Sequence, residues 1–179
     1  MHWIDPEHLP STRGRIDTLI FNPEGELDGL LLKGGQQVHF PPHLGRRLAR
    51  RARPGEAVVV RGVRPKGVPL VVALRVQVGD GKPVDDAGPD GTEPRAAARR
   101  PMQLSGVVRC PIYAPRGETA GALLDTGDIV RMHPKGNEAL APFFEPGKRI
   151  DAWGEGLKKG AVHVVELGEV ALHVDAAAA

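Results

Sequence analysis

Hydrophobic and polar positions alternate in short runs along this chain, and most of the runs stop at a glycine or proline. From Gly14 to Phe21, Ile16, Thr18 and Ile20 fall on one side and Arg15, Asp17 and Leu19 on the other, which predicts a strand with one buried face. Asn22-Pro23-Glu24-Gly25-Glu26 reads as a turn, proline fixing one φ and glycine supplying a positive one. A second strand follows from Gly29 to Lys33, a tight turn at Gly34-Gly35, and a third strand from Gln36 to Phe40. Pro41-Pro42 ends it. Leu44, Leu48 and Ala52 then recur at i, i+4 and i+8, the inward stripe of a short helix that Pro54-Gly55 closes. Glu56 to Gly62 predicts a fourth strand with Val58 and Val60 inward, and Val68 to Val78 a fifth.

The same pattern comes round again. Shifted by 92 positions, Gly14 to Gly62 lies over Gly106 to Gly154 without a gap. Gly14/Gly106, Gly25/Gly117, Gly29/Gly121, Gly35/Gly127, Pro42/Pro134, Pro54/Pro146, Gly55/Gly147 and Gly62/Gly154 coincide, with Ile20/Ile112, Leu32/Leu124 and Val38/Val130 between them. A fixed-offset self-match means two copies of one structural unit. The second copy is expected to have strands near 106–112, 121–125, 129–132, 149–154 and 161–167 and a helix near 138–144. Its fourth turn is expected to be one residue longer, so that Gly67 meets Gly160. The resulting division is a leader over 1–13 (either packing Trp3 on the first unit or loose), units over 14–78 and 102–173, a mobile linker over 79–101 and a tail over 174–179. Gly25, Gly35 and Gly117 are expected to hold positive φ.

Composition narrows the function classes. No apolar run approaches the roughly 20 residues of a membrane span, and the N-terminus lacks a signal-peptide layout, which reads as cytoplasmic. The single cysteine, Cys110, excludes an internal disulfide and a multi-cysteine zinc site, and its inward parity predicts a buried, inert thiol. No glycine-rich phosphate loop precedes a helix, and Ser11 and Ser105 lack a histidine in a recognisable frame, so no enzyme activity and no cofactor are expected. His39 and His43 have metal-ligand spacing, but Phe40-Pro41-Pro42 breaks the helix that would put them on one face; two solvated side chains and no metal are expected. Charge is uneven. Gly14 to Val78 has eleven Lys and Arg against five Asp and Glu, whereas Gly106 to Leu172 has eight against nine.

Three strands, a helix and two more strands, with glycines at the corners, resemble the OB-fold, a five-stranded Greek-key barrel with its helix between strands three and four. The helix argues against an SH3-like barrel. The fold class is thus all-β with one short helix per unit, two tandem OB-like barrels, similar to small bacterial OB-fold proteins. That resemblance implies single-stranded DNA or RNA as partner, held on the face of strands two and three and the loops after strands one and four. The matching positions are Phe21 and Tyr113 at the end of strand one, His39 and Arg131 on strand three, Arg61 and Trp153 on strand four, and Arg64, Lys66, Lys158 and Lys159 in the turn that follows.

A second candidate is the helix run Arg46, Arg47, Arg50, Arg51 and Arg53, which would fan over the outer surface and hold phosphates without sequence preference. Its counterpart in the second copy has lost the charge. The competing class is a protein-interaction module with no nucleic-acid activity, in which the neutral second barrel docks a protein partner through Phe143 and Trp153.

Overall fold

The computed structural model describes residues 4–93, 97–133 and 138–175. Expectations for Trp3, for part of the 79–101 stretch and for the last four alanines therefore lie outside the described residues. A 3-10 turn at Pro6–His8 leads into β1 (Ser11–Phe21), β2 (Leu27–Leu32), β3 (Gln37–His39), α1 (Pro42–Leu48), β4 (Ala57–Val63), β5 (Leu70–Val78) and β6 (Val84–Asp85). The second set is β7 (Arg100–Tyr113), β8 (Thr119–Leu124), β9 (Ile129–Arg131), a 3-10 helix at Glu138–Phe144, β10 (Arg149–Lys159) and β11 (Val162–Leu172).

Each set closes into a five-stranded barrel. In the first, the order β3-β2-β1-β4-β5 is closed by parallel pairing of Gln37, Val38 and His39 with Leu70, Val71 and Val72. In the second, β9 pairs in parallel with β11 through Ile129↔Val164, Val130↔Val165 and Arg131↔Glu166. All other ladders are antiparallel, and the helical segment lies between the third and fourth strands. These are two tandem OB-like barrels.

The repeat survives at the level of register. Gly29↔His39 and Leu30↔Val38 in the first barrel become Gly121↔Arg131 and Ala122↔Val130 in the second, and Ser11↔Arg61 becomes Gln103↔Trp153. The last strand breaks the offset. Arg61↔Arg75 corresponds to Trp153↔Glu169, so the hairpin of the second barrel is longer by two residues, not the one expected. β10 runs through Lys159, and the turn falls at Gly160-Ala161 rather than on the lysines.

A β-bulge sits at the same place in both barrels, between Arg61 and Gly62 and between Trp153 and Gly154. It explains these two glycines. A Cβ on Gly62 would lie 2.1 Å from the Val72 carbonyl oxygen, and one on Gly154 1.9 Å from that of Glu166. They are needed for close approach of the main chains. Gly25, Gly35 and Gly117, by contrast, hold φ of 82°, 98° and 93°.

The core of the first barrel takes Ile16, Leu30, Leu32, Val38, Phe40, Leu44, Leu48, Ala52, Val58, Val60 and Val76. The three residues of the predicted helix stripe are thus buried, but α1 ends at Leu48 and Ala52 lies beyond it. Gly45 lets α1 rest on β2, since a Cβ there would overlap the Leu27 carbonyl. The second core distributes volume differently. Where the first has Phe40 and Ala52, the second has Met132 and Phe144, so the aromatic moves from the end of the third strand to the end of the helical segment. Pro142 inside that segment accounts for its 3-10 form in place of the expected α-helix. Cys110 is half-buried rather than buried.

The leader and the linker carry more structure than their composition suggests. Arg61 donates to the main-chain carbonyls of Glu7 and Leu9 at 3.2 and 2.9 Å, fastening the leader to the first barrel. β6, within the stretch read as a linker, pairs with the far half of β5 through Arg75↔Asp85 and Val76↔Val84. β7 begins at Arg100, two residues earlier than the expected unit boundary.

The two kinds of glycine separate in a stability measurement. Gly35 has nothing within 4 Å of a notional Cβ, so Gly35→Ala should cost about 1 kcal/mol through its positive φ alone. Gly62→Ala must move a β5 carbonyl and should cost more, about 2–3 kcal/mol. Urea unfolding with equal m-values reads both, and the reverse order would show that the bulge yields easily.

Candidate functional site

The groove face predicted from the fold is less open than its sequence implies. Phe21 packs against the first core rather than standing out as a stacking platform. Leu31 and Gln37, on β2 and β3 between residues of that core, are 3% and 2% exposed. His39 and Arg131 are half-buried and Tyr113 is too. Arg61, outward on β4, is engaged with the leader carbonyls. Arg64 is exposed and its Nη2 donates to the Thr12 hydroxyl, leaving Lys66 at the tip of the turn. Lys158 and Lys159 are exposed on β10. The described structure thus gathers Arg61, Arg64 and Lys66 at one end of the first barrel without an exposed aromatic among them.

The arginine run expected on one helix divides into two groups, because α1 ends at Leu48. Arg46 and Arg47 are on it, and Arg50, Arg51 and Arg53 lie in the turn and the segment that follow. Arg46 does not fan outward. Its Nη1 donates to Glu26 at 2.5 Å and its Nη2 to Asp90 at 3.1 Å. Hydrogen bonding to Glu26, then the charges of Asp90 and Glu26, hold its guanidinium above the usual arginine value against the opposing effect of desolvation. Arg47 donates to the Asp85 carbonyl at 3.2 Å. His43, expected to be solvated, is half-buried and meets Asp86 at 2.6 Å. An acidic segment therefore straps this end of the helix: Asp85, Asp86 and Asp90 each meet it or its neighbours. Arg75 completes the strap, donating to Asp85 through Nε at 2.6 Å and to Glu7 through Nη1 at 2.5 Å.

Beyond the strap the cations make no ion pair among the described residues. Arg50, Arg51 and Arg53 are exposed and surround a cleft of about 420 Å³ with Glu56 and the Gly79-Asp80-Gly81 turn. Arg15 joins them, its Nη1 donating to the Gly55 carbonyl at 3.0 Å beside the Arg53–Glu56 turn. Among the described residues none of these four guanidiniums has a carboxylate within ion-pair distance. Arg13, two positions along β1 from Arg15, is exposed on the same side. Sequence reasoning placed Arg50, Arg51 and Arg53 in this patch but left out Arg13 and Arg15. The signal was there in their i, i+2 spacing on the outward parity of β1. Such a cluster, solvated and outside any ion pair although Glu56 and Asp80 line the same cleft, suits a ligand bearing several phosphates.

In the second barrel the exposed aromatic is Trp153, 37% exposed. It lines a cleft of about 610 Å³ with Pro101, Met102 and Leu167, walled by the Arg99–Glu166 pair at 2.9 Å.

No protein-family model matches the chain, and no curated protein matches it. Among solved structures it is similar to the wild-type single-stranded DNA binding protein from Thermus aquaticus, at 16% identity and a TM-score of 0.30 over 94% of this chain and 94% of that one. A deletion mutant of that protein aligns at 14% identity and a TM-score of 0.30, over 93% and 94%. A likeness of this size supports no transfer of function, and the barrel topology stands on the strand pairing itself. No helix among the described residues is long and apolar enough to cross a membrane.

The strap should be pH-sensitive. Hydrogen bonds from Arg75 hold the Asp85 carboxyl below the ordinary aspartate range, against the opposing effect of desolvation. A depressed carboxyl contributes stability that is complete above its unfolded pKa of ~3.9 and lost as pH falls through the lower folded value. Amide exchange at Val84 and Asp86 should therefore gain relative to its intrinsic rate below about pH 4. Asp85→Asn should show the same gain at neutral pH, with Val58 and Val60 still protected. Equal protection of Val84 in that variant would mean the ion pair does not hold β6.

Proposed function

We propose that this chain is a non-catalytic nucleic-acid-binding protein that holds single-stranded DNA or RNA weakly and with little sequence preference. The observation that carries the reading is the group of exposed guanidiniums of Arg50, Arg51 and Arg53, which make no ion pair among the described residues, with Arg15 beside them on the same OB-like barrel. Phosphates engage such a group through charge and release of counterions, with no base-edge contact required. The packing of Phe21 against the core favours this surface over the groove, because stacking needs an exposed aromatic face. Affinity then resides in the first barrel. Arg61, Arg64 and Lys66 extend the positive field at its other end, and the second barrel adds little.

A salt titration by fluorescence anisotropy against single-stranded DNA, single-stranded RNA and duplex tests this. With about 3–5 phosphates engaged, log K should fall against log salt with a slope of roughly −2 to −3.5 for single strands. Arg50→Glu with Arg53→Glu should abolish binding at physiological salt, while Phe21→Ala and Arg64→Ala should stay within about two-fold of wild type, the size of an unimportant surface contact. The opposite pattern would return the site to the groove. A flat salt response, or no binding to any nucleic acid at low salt, would favour the protein-interaction reading, which the exposed Trp153 supports.

A further inference from the structure

The two barrels differ at one edge, and the difference specifies an occupant. In the first barrel, the half of β5 beyond β3 is capped by β6. Arg75 and Val76 pair with Asp85 and Val84, and the Asp86 N–H donates to the Leu74 carbonyl at 2.8 Å. The ladder registers place Gly168, Glu169, Val170 and Leu172 of β11 where Leu74, Arg75, Val76 and Val78 stand in β5. Among the described residues no strand pairs with that edge of β11.

Its main-chain groups are aimed outward. The His173 N–H donates to the Arg149 carbonyl beyond the β10 end of the ladder. Alternation along a strand then turns the groups of Leu172 and Val170 away from β10. The missing cover is also visible in burial. Val76 and Val78 are 0% and 4% exposed, with Val84 of β6 packed against their core, whereas Val170 is half-buried and Leu172 is 51% exposed. An open strand edge with exposed apolar side chains is a template for another strand.

Charge says which strand. In the first barrel the strand residue is a cation, Arg75, and its partner in β6 is Asp85. In the second the strand residue is an acid. Glu169 is exposed, without an ion-pair partner among the described residues, and its cross-strand neighbour on β10 is Trp153. A cation opposite Glu169 would meet a carboxylate and lie within reach of an indole face.

We propose that the outer edge of β11, Gly168 to Leu172, docks an extended segment of a partner protein as an added antiparallel strand, with an apolar residue opposite Val170 and a lysine or arginine opposite Glu169. The chain's own β6 is the template for the geometry, with the charge reversed.

The test uses the full chain, labelled for NMR, and two ten-residue peptides. One reproduces residues 80–89 and the other carries Asp85→Arg. The arginine peptide should shift the amides of Gly168 to Leu172 and the Trp153 indole N–H. It should bind about three- to five-fold more tightly than the aspartate peptide, the worth of one opposite-charge cross-strand pair. Glu169→Lys, at an exposed position that leaves the core untouched, should invert the preference. The proposal is overturned if neither peptide shifts these amides at millimolar concentration, or if both bind equally and Glu169→Lys changes nothing. It is equally overturned if the same amides shift with protein concentration alone, which would make a second copy of this chain the occupant.

Discussion

Everything in each barrel depends on one close approach of main chains, the bulge that lets the fourth strand bend onto the fifth. At that point the Val72 carbonyl, or that of Glu166, occupies the space of a Cβ on Gly62 or Gly154. The bend brings the last strand within reach of the third, where only three residue pairs close each barrel in parallel. Closure pairs the two outer strands only where they meet, over those three residues, and leaves the far halves of β5 and β11 as edges. A side chain at either glycine pushes the closing strand outward, and the short parallel ladder has little length with which to compensate. The core beneath can vary more freely, as the exchange of Phe40 and Ala52 for Met132 and Phe144 shows.

On this shared frame the barrels diverge at their outer surfaces. The first has a sixth strand and an acidic strap, and beyond the strap a group of arginines outside any ion pair among the described residues. The second has a 3-10 segment with no cationic face, an exposed tryptophan and an uncapped strand edge. One short addition, β6, accounts for several of these contrasts. Val84 covers the core, Asp85 neutralises Arg75, and the segment that follows engages His43 and Arg46. Where no such segment pairs, Leu172 stays in solvent and Glu169 keeps an uncompensated charge.

The frame was legible in the chain because turns and strand parity are local. Gly35 and Gly127 announce the same turn, and Val58 and Val60 declare the inward face of β4 two residues apart. The longer second hairpin was misjudged by one residue because Gly67 and Gly160 look equivalent, while the bulge and the ladder, not the glycine, fix the register. β6 was invisible for a different reason. A two-residue strand has no periodicity, and what holds it is an ion pair and a valine meeting a core built elsewhere. The pairing of Arg46 with Glu26 and Asp90, distant in sequence in both directions, is likewise a product of the fold. Arg50 and Arg51 were legible as exposed because Leu48 and Ala52 are the buried positions on either side of them, although the turn that holds them has replaced the helix expected there.

Formal charge is a poor guide to how many phosphates a surface can hold. Counted from Gly14 to Val78 the first barrel has eleven cations against five acids, but residues 79–93 add Asp80, Asp85, Asp86, Asp90 and Glu93 against only Lys82. Several of the cations are already committed, Arg46 and Arg75 to carboxylates and Arg47 and Arg61 to carbonyls. A committed guanidinium still contributes to the long-range field, but its donors are taken, and a phosphate would have to displace a partner held in place by the fold. Arg50, Arg51 and Arg53 make no ion pair among the described residues, although Glu56 and Asp80 line the same cleft. They lie together where the strap ends, with Arg15, held to the Gly55 carbonyl, beside them. On the proposed reading, the number of phosphates engaged should therefore follow this small group rather than the formal excess, and the proposed surface is defined by the ion pairs that the barrel does not make.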